Sequence, residues 1–103
     1  MASSVIPSKG LFPNFNDLIH QVGTGATYTA PSDCFCSWEG YGASASYCTI
    51  SVNDVNVGGT YNLANTWSSR AGSFYLKKGD VIKITRAGGD TNATITASLY
   101  ALY

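Results

Sequence analysis

Residues 73–85 read SFYLKKGDVIKIT, two β-prone runs on either side of a polar KKGD turn. Phe74 and Leu76 occupy alternate positions before the turn, and Ile82 and Ile84 do so after it, which is the period-two pattern of strands with one buried face. This stretch therefore predicts a β-hairpin. Because a hairpin alone is only marginally stable in water, we expect further strands to cover its apolar face.

The composition of the chain favours an all-β domain. Charged residues make up 12% of the sequence, which is about half the usual share, while Ser, Thr, Asn and Gly account for 40 of the 103 residues. Long amphipathic helices need charged or long polar side chains on their wet face, whereas strands and turns suit this neutral polar composition. The six acidic and six basic residues balance, so no nucleic acid is expected as a partner.

No segment of the sequence predicts membrane insertion or secretion. A membrane-spanning helix needs about 20 consecutive apolar residues, and no run approaches that length. The N-terminal stretch MASSVIPSKG lacks the apolar region of a secretory signal. We therefore expect the chain to be made in the cytoplasm of its host, either as a complete protein or as part of a longer one.

Two parts of the chain are expected: an N-terminal arm with a short helix, residues 1–26, and a β-sandwich domain, residues 27–103. Residues 14–22, NFNDLIHQV, place apolar side chains at helical spacing, with Asn14 as the helix cap. So short a helix is not stable alone. We expect its apolar side to dock on the β core or on a neighbouring subunit.

The rest of the sequence predicts short strands and turns. A second hairpin is expected over residues 47–57, because Asn53 and Asp54 tolerate the left-handed backbone that a two-residue turn requires. The terminal strand, residues 91–103, is apolar on both faces near its end. About seven strands, with turns roughly every eight to twelve residues, predict a jelly-roll-like antiparallel β-sandwich.

The sequence offers few groups for catalysis. His20 is the one histidine, and nothing near it supplies the serine or cysteine of a nucleophile–base pair. Glu39 is the one glutamate, and the aspartates fall mostly in turns, where they bond their own backbone. No acid/base pair for glycan cleavage is therefore predicted. We expect a protein that is not an enzyme and needs no cofactor.

The three cysteines, Cys34, Cys36 and Cys48, are an odd number, which argues against a disulfide framework. The C-x-C spacing of the first two is not the spacing that zinc sites commonly use. Free cysteine is among the most buried residue types. We therefore expect buried free thiols and no metal.

The loop over residues 58–72 carries the groups best suited to binding. Loops of this length in a small domain are often functional, and its aromatic rings, amides and guanidinium can stack on sugars and hydrogen-bond their hydroxyls. The alternative is that Trp67 packs into the core and that the amides stabilise turns. Tyr41 and Tyr47, on either side of a segment of small residues, are further candidates. The predicted receptor-binding residues are Tyr61, Asn62, Asn65, Trp67, Arg70 and Tyr41.

Four segments together resemble the β-sandwich tip domains of bacteriophage tail fibres and related virion fibres. They are YTAPSD at 28–33, ISVNDV at 50–55, LKKGDV at 76–81 and LYALY at 99–103. The resemblance covers the chain from Thr27 onward. It departs from the family's pattern at Cys34 and Asp54, where the family often has glycine.

The resemblance implies a jelly-roll-like homotrimer in a virion, which contacts other virion proteins and attaches to a glycan or protein receptor on a bacterial surface. The residues are compatible with a trimer, because the terminal strand and the expected helix both leave apolar side chains uncovered. Host attachment is the expected function, and the alternative is a capsid-decoration or fibre-anchoring protein without receptor binding. The predicted interface residues are Phe15, Leu18, Tyr75, Val81, Tyr100, Leu102 and Tyr103.

Overall fold

The computed structural model describes residues 10–42, 46–60, 68–88 and 92–103. These residues form eight strands: β1 (Pro13–Val22), β2 (Thr27–Thr29), β3 (Cys34–Gly42), β4 (Ser46–Val52), β5 (Val55–Gly59), β6 (Ser68–Leu76), β7 (Val81–Gly88) and β8 (Thr94–Leu102). Sheet 1 has the strand order β1-β8-β3-β6, and sheet 2 has the order β2-β7-β4-β5. All pairings are antiparallel. The predicted all-β sandwich is therefore confirmed.

The core lies between the two sheets and follows the alternation of residues along each strand. On β3, Cys34, Cys36 and Trp38 are buried, while Ser37 and Glu39 between and beyond them are exposed. Strands β4, β7 and β8 contribute further large inner side chains, which are Ile50, Ile82, Ile84, Ile95 and Leu99. Each sheet therefore has one apolar inner face and one outer face.

Residues 73–85 form two strands, but the predicted hairpin is wrong. β6 pairs with β3 in sheet 1, whereas β7 pairs with β2 and β4 in sheet 2. The turn at residues 77–80 therefore carries the chain across the core from one sheet to the other. Leu76 and Ile82 are buried in the same core as predicted, from opposite sheets. Alternation predicts the buried face of a strand, but it carries no information about which strand lies alongside.

The second hairpin is confirmed. β4 and β5 are adjacent antiparallel strands, and Val52 is paired with Val55 across the turn. Asn53 and Asp54 have φ angles of 51° and 67°, the left-handed values that a two-residue hairpin turn requires.

The predicted helix at residues 14–22 is wrong, because these residues belong to β1, which pairs with β8 at the edge of sheet 1. The pairing is irregular on both sides of Leu18, which shifts the alternation along the strand. Phe15 and Leu18 are consequently exposed, whereas Ile19 and Val22 pack on the core. The helical spacing thus combines residues from two faces of a bulged strand.

The described part of the chain contains no helix with the length and apolar character of a membrane span.

Candidate functional site

The outer face of sheet 1 is polar at one end and aromatic at the other. The register aligns side chains of β8, β3 and β6 in rows across the sheet. At one end the rows carry mainly hydroxyl groups, and at the other end they carry aromatic rings. From the polar to the aromatic end, the rows are Thr94–Tyr41–Ser69, Thr96–Glu39–Ala71, Ser98–Ser37–Ser73 and Tyr100–Phe35–Tyr75.

A groove of about 500 Å³ lies at the polar end, and we call it the Tyr41 groove. Tyr41 is 39% exposed, and Glu39 and Thr96 beside it are also exposed. The groove therefore combines an accessible ring with a carboxylate and several hydroxyls on a regular sheet. Its lining residues are Glu39, Gly40, Tyr41, Ser69, Arg70, Ala71, Thr94 and Thr96.

Arg70 separates this groove from a second one. On β6, Arg70 is opposite Gly40 of β3, and it lines both grooves. The second groove has a volume of about 510 Å³ and includes Tyr47, which is also 39% exposed. We call it the Tyr47 groove. β6 is one of the two edge strands of sheet 1, and Arg70 is the residue that both grooves share.

Polar side chains of the Tyr47 groove are already engaged in the fold. The Thr60 hydroxyl accepts a hydrogen bond of 2.9 Å from the Cys48 backbone N–H. The Asn56 side-chain oxygen likewise accepts one of 3.1 Å from the Gly58 N–H. These two groups support the β4–β5 pair. The Tyr41 groove differs in placing a carboxylate, Glu39, and the hydroxyls of Thr94 and Thr96 beside an exposed ring, and we take it as the candidate for binding a polar ligand.

The structure brings two of the predicted receptor-binding residues together, since Tyr41 and Arg70 lie one register step apart on neighbouring strands. Glu39, Thr94 and Thr96 were not predicted as site residues. The alternation of β3 could have indicated that Glu39 shares a face with Tyr41, but the position of β8 beside β3 could not be predicted. The other four candidates, Tyr61, Asn62, Asn65 and Trp67, lie outside the described residues.

The predicted interface residues fall into three places. Phe15, Leu18, Tyr75 and Tyr100 lie together at the aromatic end of sheet 1. Val81 lies elsewhere, because it pairs with Thr29 in sheet 2. At the end of the chain, Leu102 is buried with 8% exposure and Tyr103 is 62% exposed.

The three cysteines are free and buried, as predicted. Burial raises the pKa of the Cys36 thiol to about 12, and burial also raises the pKa values of Cys34 and Cys48. A thiol is nucleophilic only as the thiolate, so these groups are poorly suited to covalent chemistry. No group of three or more His, Cys, Asp or Glu side chains in the described ranges could hold a metal ion.

His20 lies on β1 and contacts the other sheet. Its ring is stacked on that of Tyr28 in β2, with the centroids 4.1 Å apart and the planes at 15°. This stack joins the edge strands of the two sheets on the side away from the grooves.

Neither family models nor curated proteins match the chain.

Proposed function

We propose that this chain is a non-enzymatic attachment domain of a virion fibre or tail tip, that it acts as a homotrimer, and that it binds a host-surface glycan in the Tyr41 groove. The groove is the observation that carries the glycan-binding part of this proposal, and the resemblance of the four segments described above motivates the virion and trimer parts. The strand orders of the two sheets support it as well, because they are those of a jelly roll, which capsid and lectin domains use.

The chemistry of the Tyr41 groove suits a neutral sugar. An aromatic ring offers a flat apolar surface for the C–H face of a pyranose. The Glu39 carboxylate accepts hydrogen bonds from sugar hydroxyls, the Arg70 guanidinium donates them, and the threonine hydroxyls do both. The two charges balance, so the groove does not favour an anionic ligand over a neutral one. Its volume of about 500 Å³ is sufficient for one or two sugar rings.

The number of carboxylates in the Tyr41 groove favours a binding role over glycan cleavage. Hydrolysis of a glycosidic bond commonly needs a pair of carboxyl groups on either side of the scissile bond. Glu39 is the one carboxylate among the described residues that line the groove. The groove can therefore orient a sugar, but its described residues do not form that pair.

The proposal predicts that Tyr41→Ala loses binding to glycans and to whole bacteria. Truncating an aromatic contact at the centre of a site commonly costs at least about 1.4 kcal/mol, or about tenfold in affinity. The measurement is a glycan array, followed by titration of the best ligand with the purified domain. Circular dichroism establishes that the variant is folded.

Tyr47→Ala is the matched control, because Tyr47 has the same 39% exposure and lines the other groove. We expect this variant to bind like the wild type. Full binding by Tyr41→Ala would show that the Tyr41 groove is not the site, and loss in Tyr47→Ala alone would move the site to the other groove.

A structural role without receptor binding is the second candidate, and the aromatic end of sheet 1 favours it. Exposed rings such as Phe15 and Tyr75 are suited to assembly, whether or not the domain recognises a cell. The two functions differ in one measurement. A decoration or anchoring protein would bind neither the glycan array nor the host cells, and would bind purified virions that lack it.

A further inference from the structure

The aromatic end of sheet 1 forms one continuous surface across all four strands. The Phe15 ring contacts those of Tyr100 and Phe35, with centroids 5.1 and 6.0 Å apart, and Phe35 contacts Tyr75 at 5.1 Å. Leu18 is paired with Tyr100, and the Leu11 carbonyl accepts a hydrogen bond from the Tyr75 hydroxyl. We call this surface the aromatic patch, with the members Leu11, Phe15, Leu18, Phe35, Tyr75 and Tyr100.

We propose that the aromatic patch is the surface through which copies of this chain associate. This inference deepens the proposed function, and it rests on that function only for the number of copies, three. The occupant of each patch is the patch of a neighbouring copy, arranged around a common axis. The area of the patch, its lack of charge and its position support this assignment.

The patch is large for a surface that faces only water. Leu11, Phe15, Leu18 and Tyr75 are 74%, 61%, 49% and 54% exposed. With side chains of about 150–250 Å² each, the patch exposes on the order of 500 Å², near the upper end for the largest patch of a monomer. Phe12 and Tyr103, at 77% and 62% exposure, leave further apolar area exposed next to Leu11, and the Tyr103 N–H donates a hydrogen bond to the Phe12 carbonyl. The patch alone supplies more than half of the roughly 800 Å² per partner that a standard interface buries.

The chemistry of the patch suits a second copy of itself. None of its members carries a charge, so bringing two patches together opposes no like charges. The Tyr75 hydroxyl already donates a hydrogen bond of 2.7 Å to the Leu11 carbonyl, and burying it therefore leaves no unpaired donor. Its rings meet edge to face, and the same arrangement is available between rings of different copies.

The position of the patch keeps the Tyr41 groove accessible. Phe35 and Tyr41 lie on the same outer face of β3, and their separation of six residue steps corresponds to about 20 Å along a strand. Copies that meet through their patches would thus present several grooves at the far end of their sheets. Such multivalency raises avidity by about 10²–10⁴-fold over a single weak site.

The test is the mass of the purified chain by light scattering at micromolar concentration. The wild type is expected at three times the 10.9 kDa chain mass. Leu18→Asp places a charge in the patch, and we expect it to raise the dissociation constant by at least about 100-fold, giving a monomer. Val57→Asp is the matched control, because Val57 is 43% exposed on the edge strand β5 of the other sheet. It should remain oligomeric.

Hydroxyl-radical footprinting of the wild type provides a test that needs no variant. We expect Phe15 and Leu18 to be protected in the oligomer, and Val55 and Val57 to be oxidised. A monomeric wild type, an oligomer that survives Leu18→Asp, or full oxidation of Phe15 would overturn the proposal. None of these outcomes depends on a glycan, and a folded Leu18→Asp monomer can still be tested for binding at the Tyr41 groove.

Discussion

The buried thiols illustrate what single residues decide in this protein. Cys34, Cys36 and Cys48 each have 0% exposure, and they fill small core positions where a weakly polar side chain packs like an apolar one. The residue type predicted their burial, and alternation along β3 places Cys34 and Cys36 on its inner side. Their reactivity, however, depends on the surrounding core, which raises their pKa values.

We predict that the three thiols do not react with a disulfide reagent while the protein is folded. With a pKa of about 12, about one Cys36 thiol in ten thousand is ionised at pH 8, and burial excludes the reagent. Labelling with Ellman's reagent at pH 8 should be slow and limited by unfolding, whereas three thiols should react at once in guanidinium chloride. Rapid labelling of the folded chain would contradict the buried positions.

At the scale of elements, the two turns beside sheet 2 support each other. The Asn53 side chain donates to Asp80 Oδ1 at 3.0 Å and accepts from the Val81 N–H at 2.9 Å. Asp80 also accepts a hydrogen bond of 2.8 Å from the Lys77 backbone N–H. The sequence predicted both turns, but it could not predict their contact, because the contact exists only once β7 lies beside β4.

These hydrogen bonds predict a pH dependence of stability. The bond from the Lys77 N–H, followed by that from Asn53, holds the pKa of Asp80 below its ordinary value. As the pH falls below about 4, the Asp80 carboxyl is protonated in the unfolded chain before it is protonated in the folded one. The free energy of unfolding therefore decreases from there down to the pKa of the folded state. Above about pH 5 this contribution is fully present. Asp80→Asn removes it.

Urea denaturation at pH 6.5 and pH 3 measures this effect. The wild type should exceed Asp80→Asn in stability at pH 6.5, and the difference should shrink at pH 3. Asp54→Asn is the control, because the Asp54 side chain is 89% exposed and its 3.7 Å ion pair with Lys83 lies at the surface, where such pairs contribute little. If the difference in the free energy of unfolding between the wild type and Asp80→Asn grew at low pH, these hydrogen bonds would not have the role described here.

For the whole molecule, Trp38 determines how closely the two sheets pack. A Cβ placed on Gly72 of sheet 1 would lie 2.8 Å from Trp38 Nε1, and one placed on Gly58 of sheet 2 would lie 2.8 Å from Trp38 Cζ2. The indole therefore packs against the backbone of both sheets. Either glycine can be replaced only if the ring or the sheets move.

We predict that Gly58→Ala and Gly72→Ala each lower the free energy of unfolding by about 1–3 kcal/mol, the usual cost of overpacking a core. Gly23→Ala is the control, because a Cβ there has no neighbour within 4 Å, and it should change stability little. Urea denaturation measures all three variants. Unchanged stability in both core variants would show that the sheets adjust freely around Trp38.

The sequence by itself determined the secondary-structure class, the turn at Asn53 and Asp54, and the inward side of most strands. These features depend on local preferences, namely neutral polar composition, left-handed turn residues and period-two alternation. Strand β1 was mistaken for a helix, because its irregular pairing moves apolar residues onto two faces at helical spacing.

Only the tertiary structure decided which strands are neighbours. Residues 73–85 carry the alternation of a hairpin, yet their two strands join different sheets. The juxtaposition of Tyr41 with Arg70, and the row of rings from Phe15 to Tyr75, depend on the same strand order. Strand order follows from burying apolar surface between distant parts of the chain. Local sequence patterns do not contain that information, so both the candidate groove and the aromatic patch emerge only from the folded sandwich.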